Sequence, residues 1–133
     1  MERAALAAAV AYAAAAGYGA RVDLREDVPG EPLGIRAPGR VGTHLLIGWG
    51  ASTSAPWPMP VATVALSLRP RPGVRTGTAW MALGAATLAG QLVEPVTWGR
   101  RPSSPAVRRS VVLNLLSSAA LLLAGRRTVL AAR

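Results

Sequence analysis

Four polar side chains fall within stretches that are otherwise apolar, and they are the residues best placed to do chemistry: His44, Gln91, Glu94 and Asn114. Ionisable and amide groups inside a membrane span are costly to bury, so each needs a partner or a ligand. A histidine, a carboxylate and two amides at one depth could bind a polar ligand or relay a proton. We therefore take these four as candidate ligand-binding residues.

The spacing of polar residues predicts that two apolar stretches present matching faces. Along 77–98, residues separated by steps of four and three share one helix face: Trp80, Gly84, Thr87, Gln91, Glu94 and Trp98. The stretch 110–125 carries a comparable stripe: Ser110, Asn114, Ser117 and Ser118. An antiparallel pairing that sets Glu94 level with Asn114 also sets Gln91 level with Ser117. Hydrogen bonds worth about 0.6–2 kcal/mol each are predicted between them.

A structural interpretation of the same residues is favoured over a ligand site. Amides and serines in membrane helices commonly serve only to hold helices together. Glu94 lies near the end of its stretch, where water, Arg100 or Arg101 could satisfy its charge. Small residues spaced by four also permit close helix approach in this stretch: Ala82, Ala86 and Gly90.

The motif content argues against catalysis. With no cysteine and a single histidine, disulfides, thiol chemistry and a histidine-rich metal site are excluded. The sequence contains no P-loop, no dinucleotide-binding glycine fingerprint, and no HExxH or GxSxG motif. We predict no catalytic residue, no metal and no cofactor, and expect that the protein is not an enzyme. Acid–base catalysis by His44 and Glu94 is the weakest alternative.

The elements that must position these residues are predicted to be membrane helices. Hydrophobic residues make up 51% of the 133 positions and charged residues 16%, against about 25% charged in a soluble domain. Charged residues are absent from four long stretches, so a helix formed by any of these stretches would have no charged face to turn toward water. The sequence therefore predicts an all-α membrane protein, a single integral membrane domain over 1–133 built as a four-helix transmembrane bundle. Its spans are expected at about 4–20, 41–68, 77–98 and 110–125.

The first span is alanine-rich and is followed by a polar stretch. A secretory signal peptide is the alternative for the first span, since Arg3 precedes it and A-x-A sites lie near its end. The retained helix is preferred because Glu2 offsets Arg3. Residues 21–40 hold four of the six acids and three prolines, and are predicted to form an aqueous linker.

The second span cannot be one straight helix. Pro56, Pro58 and Pro60 remove backbone donors and push each preceding residue away from α geometry. We expect its first helix to stop near Ser54 and the chain to run extended past Trp57. A broken membrane helix is tolerated where the break faces protein or a water-filled cavity.

The charge distribution indicates the partners. Fifteen arginines and no lysine give a net charge of +9, and most arginines sit in short clusters at the ends of the apolar stretches. That pattern is typical of anchors at lipid headgroups, so we expect a lipid bilayer as partner and no nucleic acid. Such unbalanced use of arginine is also typical of a GC-rich bacterial genome. The arginines are divided almost evenly between the two sides, which leaves the orientation open.

These features predict a multi-pass protein of the cell (plasma) membrane. Its expected function is that of a non-enzymatic helical bundle with a structural or accessory role. A second copy of the chain or another membrane protein is the expected protein partner. The alternative is a small transporter or ligand-binding membrane protein that uses a polar site at His44, Glu94 and Asn114, because transporters often build sites at broken helices.

Overall fold

The computed structural model describes residues 3–133, which form five α-helices and two short 3-10 helices and contain no β-strand. The 3-10 helices are Pro32–Gly34 and Pro95–Trp98. The all-helical class predicted from the sequence is confirmed for this part of the chain. The α-helices are α1 (Arg3–Glu26), α2 (Val41–Ile47), α3 (Pro58–Ser67), α4 (Val74–Leu92) and α5 (Pro105–Ala131).

Helices α4 and α5 form an antiparallel hairpin, the most extensive helix pair in the fold, and α1 packs along α5. Two glycines of α4 let the backbones touch. A Cβ added to Gly77 would lie 2.7 Å from the carbonyl oxygen of Gly125, and one added to Gly84 would lie 2.7 Å from that of Ser118. The core beside this contact contains two fully buried aromatic side chains, Trp80 and Tyr12. The tightest contact in the bundle therefore depends on the absence of side chains.

The register of this hairpin differs from the one predicted by the polar stripes. That register would set Gly84 level with Ala124, whereas its nearest neighbours across the interface are Ser118 and Leu122. Close backbone approach at glycine fixes the relative position of the two helices. The polar side chains then form hydrogen bonds with the groups that this register brings close to them.

The predicted break in the second apolar stretch is confirmed, but its position differs. Helix α2 ends at Ile47, and α3 begins at Pro58 and includes Pro60 in its first turn. Trp57 has α geometry (φ −49°, ψ −34°), so the chain is not extended there. Prolines are tolerated in the first turn of a helix, whose N–H groups lack intrahelical acceptors. They start α3 instead of merely ending the preceding helix.

Two helix ends also depart from the sequence prediction. Helix α1 continues through Glu26, so the predicted aqueous linker 21–40 begins inside a helix and Asp23 is buried. Helix α4 ends at Leu92, and Glu94 has extended geometry (φ −82°, ψ 127°). Pro95 explains this end, because the residue before a proline is pushed away from α geometry.

Two helices, α1 and α5, are long and apolar enough to cross a membrane. Helix α3 is apolar but has only ten residues, a length of roughly 15 Å. The fold thus provides two candidate spans where the sequence predicted four. Several large apolar side chains of α1 and α5 face outward: Val10, Val112, Leu113, Leu116 and Leu123.

The glycine contact gives a first prediction. Gly84→Ala should lower the free energy of unfolding by about 1–3 kcal/mol, because the added methyl group overlaps backbone that cannot easily move. Gly17→Ala is the matched control, since a Cβ on Gly17 has no neighbour within 4 Å. It should be neutral or stabilising by up to about 1 kcal/mol. Thermal unfolding in detergent measures both, and equal effects would contradict the packing argument.

Candidate functional site

The loop between α2 and α3, residues 48–57, turns into the protein rather than away from it. Its central residues, 51–55, are all buried. Ala51 N–H donates to the Ser54 carbonyl (3.0 Å) and Ser54 N–H to that of Ala51 (3.3 Å), which closes a tight turn. Gly50 has φ +87°, and a side chain there would collide with the Ser54 carbonyl oxygen. We call residues 48–57 the inserted loop.

The inserted loop surrounds the carboxylate of Asp23 with hydroxyl donors. Thr53 Oγ1 donates to Asp23 Oδ1 (2.9 Å) and Ser54 Oγ donates to Oδ2 (2.6 Å). Ser110 Oγ of α5 in turn donates to Thr53 Oγ1 at 2.7 Å. All of these side chains are buried, and Asp23 is completely inaccessible to solvent. One hydrogen-bonded chain therefore joins α1, the inserted loop and α5.

Asn114 extends this network along α5. Its Nδ2 donates to the backbone carbonyls of Ala15 (3.1 Å) and Ser110 (3.0 Å). Gly19 on α1 makes room for the group. A Cβ on Gly19 would lie 2.9 Å from Asn114 Nδ2, Ser110 Oγ and Ser54 Cβ. Asn114 thus joins α1 to α5 rather than facing α4.

Glu94 occupies a second polar centre on the same loop. Both of its carboxylate oxygens accept from Glu31 N–H, at 2.9 and 3.1 Å. Ser52 Oγ lies 2.9 Å from Glu94 Oε2 and 2.6 Å from the Pro29 carbonyl oxygen. Burial raises the pKa of the Glu94 carboxyl, while the hydrogen bonds from Glu31 N–H and Ser52 lower it. Neither Glu94 nor Asp23 forms an ion pair among the residues described.

A cavity of about 490 Å³ lies between the inserted loop and α4. Its polar lining consists of Ser52, Ser54, Thr87, Gln91 and Glu94. Gln91 is 3% exposed, and its Oε1 has no hydrogen-bond partner among the residues described. The remaining lining is mostly apolar and includes Trp49 and Met59.

The structure brings together only part of the predicted candidate site. Gln91 and Glu94 line one cavity, but His44 and Asn114 do not. His44 Nε2 lies 2.6 Å from the Pro38 carbonyl oxygen, and its ring contacts Gly39 and Gly48. The predicted hydrogen bonds from Glu94 to Asn114 and from Gln91 to Ser117 do not form within residues 3–133. Ser117 Oγ instead donates to the Asn114 carbonyl.

Asp23 and the three hydroxyls of the inserted loop were missed by the sequence analysis, although a signal for Asp23 was available. The buried positions of α1 recur at steps of four and three, and Asp23 continues that series: Ala5, Ala9, Tyr12, Ala16, Gly19 and Asp23. An acid on the buried face of a helix calls for hydrogen-bond donors. The run Ser52–Ser54 supplies them, but nothing local in the sequence identifies it as the partner.

No protein-family model, curated protein or solved structure matches this chain.

Removal of the buried carboxylate gives a second prediction. Asp23→Ala should lower the free energy of unfolding by about 1–3 kcal/mol, because Thr53 and Ser54 lose their acceptors in a buried site. Asp27→Asn removes one acidic charge from an exposed position and is the control. Chemical unfolding in detergent should give a value near wild type for the control. Equal losses in the two variants would rule out a specific role for Asp23.

The raised pKa of Glu94 gives a third prediction. A carboxyl that binds its proton more tightly when folded makes the folded state more stable below its folded pKa and less stable above it. The stability of the wild type relative to Glu94→Gln should therefore fall as the pH rises above 4.5, the ordinary pKa of glutamate. Melting temperatures of both proteins between pH 4 and 8 test this. Parallel curves would contradict it.

Proposed function

We propose that the chain is a small multi-pass protein of the cell membrane that acts without catalysis, as a helical bundle with a structural or accessory role. The observation that carries this proposal is the pairing of buried polar groups with one another. Asp23, Thr53 and Ser110 are linked by hydrogen bonds across three different elements. Side chains occupied in this way hold a bundle together and are not free for a reaction.

The membrane assignment is supported by the outward faces of the longest helices. Leu116 is 66% exposed and Val10 is 55% exposed, as expected of side chains in contact with lipid. The exposed arginine pairs 108–109 and 126–127 bracket the apolar part of α5. Sixteen residues between them span roughly 24 Å. Arginine side chains can extend this reach to the headgroups of a hydrocarbon layer of about 30 Å.

Four crossings are proposed: α1, the broken unit of α2 and α3, α4, and α5. The proximity of their connections supports this arrangement. Ser104 Oγ donates to Glu26 Oε1 at 2.8 Å, so the connections after α1 and before α5 meet at one end of the bundle. Ala5, Arg71 and Ala131 line a common pocket at the other end. The bundle is proposed to associate with a second copy or with another membrane protein, and not with nucleic acid.

Ligand binding is the second candidate function, favoured by the cavity beside Gln91. Gln91, whose buried amide oxygen has no partner among the residues described, lines a cavity of ligand size. Gln91 and Glu94 are the residues retained from the predicted site for this role. His44 and Asn114 lie outside the cavity and have no part in it.

The four-span topology gives a fourth prediction, which the absence of cysteine makes simple to test. Single-cysteine variants Asp27→Cys and Pro102→Cys should react with an impermeant maleimide from the same side of intact cells. Arg71→Cys should react only from the other side. All three positions are exposed, so each is open to the reagent.

Labelling of Asp27→Cys and Pro102→Cys from opposite faces would overturn the four-span topology. Labelling of all three from one face would show that the bundle does not cross the membrane as proposed. Extraction of the chain from membranes by alkaline carbonate would contradict its integral character.

A further inference from the structure

The cavity between the inserted loop and α4 has a composition that points to a particular class of ligand. We call it the Gln91 cavity. Part of its lining consists of α4 residues, including Thr87 and Gln91, and another part consists of residues 48, 49, 51, 52 and 54–56 of the inserted loop. A volume of about 490 Å³ falls in the range typical of sites for small organic molecules.

The first observation is the amide of Gln91. Its side chain is 97% inaccessible, yet Oε1 receives no hydrogen bond within residues 3–133. Buried polar atoms are nearly always paired, because an unpaired one loses its solvation without return. An amide oxygen can only accept a hydrogen bond. The missing partner must therefore be an N–H or O–H donor.

The second observation is the charge of the lining. The chain has a net charge of +9, but no arginine lines the Gln91 cavity. Among residues 3–133, Glu94 is the one ionisable side chain in the lining, and its hydrogen-bond donors, Glu31 N–H and Ser52, are both neutral. A carboxylate that is buried without a cation favours a positively charged ligand.

The third observation is the apolar part of the lining. Trp49 is 82% exposed while also lining the cavity, so an aromatic ring stands at its edge. Aromatic faces attract organic cations. Met59, Pro56 and Val93 provide apolar surface for a hydrocarbon body.

We propose that the Gln91 cavity binds a small amphiphilic amine in its protonated form. Gln91 Oε1 has almost no accessible surface in the structure, so the Gln91 side chain turns toward the cavity when the ammonium N–H donates to it. Glu94 balances the positive charge, and the hydrocarbon body packs against Met59 and the Trp49 ring. This inference names the ligand class for the second candidate function proposed above and rests on that function, but it does not depend on the four-span topology.

The test uses the full-length protein in nanodiscs and three probes of similar shape: 2-phenylethylamine, 2-phenylethanol and 3-phenylpropionate. At pH 7 they are a cation, a neutral donor and an anion. Isothermal titration calorimetry should give saturable binding of the amine, weaker binding of the alcohol and none of the acid. Empty nanodiscs provide the correction for partition into lipid.

Two variants separate the contributions to binding. Gln91→Leu removes the acceptor and Glu94→Gln removes the charge, and each should weaken amine binding by about tenfold or more. Asp27→Asn, which removes an exposed acid away from the cavity, is the control and should bind as wild type does. Circular dichroism establishes that every variant is folded.

Equal binding of the amine and the acid, or undiminished amine binding by both cavity variants, would overturn the proposed site. A folded chain that labels from both membrane faces as predicted but binds no probe would also overturn it, and would leave the bundle proposal standing. Saturable amine binding that the cavity variants weaken, by a chain that fails the labelling test, would support the site and overturn only the topology.

Discussion

The fold depends on two buried carboxylates that have no cation beside them among the residues described. Both accept hydrogen bonds from the inserted loop. Asp23 accepts from Thr53 and Ser54, and Glu94 accepts from Ser52. A buried carboxylate is tolerated only when donors surround it, so the loop, α1 and the end of α4 must hold their positions together. The break in the second apolar stretch meets this requirement. A continuous helix could not direct the hydroxyls of the three consecutive residues 52–54 toward the two carboxylates.

Much of the architecture could be predicted from the sequence because it follows from local rules. Helical class, the proline break and the hairpin of α4 and α5 all came from periodicity, backbone chemistry and a short connection. The end of α4 was within reach of the same rules, because Pro95 pushes Glu94 away from α geometry. The hairpin register was not, because two glycines decide it through contacts with a distant helix. The partners of Asp23 likewise depend on tertiary structure, as they lie about thirty residues away along the chain.

The polar side chains fall into two groups that the sequence could not tell apart. In one group the functional atoms have partners, as with Asp23, Thr53 and Ser110, and their role is to fix helices. In the other, an atom lacks a partner, as does Oε1 of Gln91, a residue that lines a cavity. Spacing alone assigned Gln91, Glu94 and Asn114 to one site. Their places in the fold divide them, because Gln91 and Glu94 line one cavity whereas Asn114 lies between α1 and α5.

If the bundle crosses a bilayer as proposed, the shortness of α3 has a consequence for the surrounding lipid. Its ten residues cover roughly half the thickness of a hydrocarbon layer of about 30 Å, and Val61, Val64 and Leu68 face outward. In a bilayer, lipids beside this face would have to compress or tilt to avoid exposing tails to the polar backbone of the inserted loop. Such hydrophobic mismatch costs a fraction of a kcal/mol per ångström and is relieved when two mismatched surfaces meet. The bilayer would thus be thinner beside this face of the bundle, and this face would favour contact with other proteins of similar mismatch.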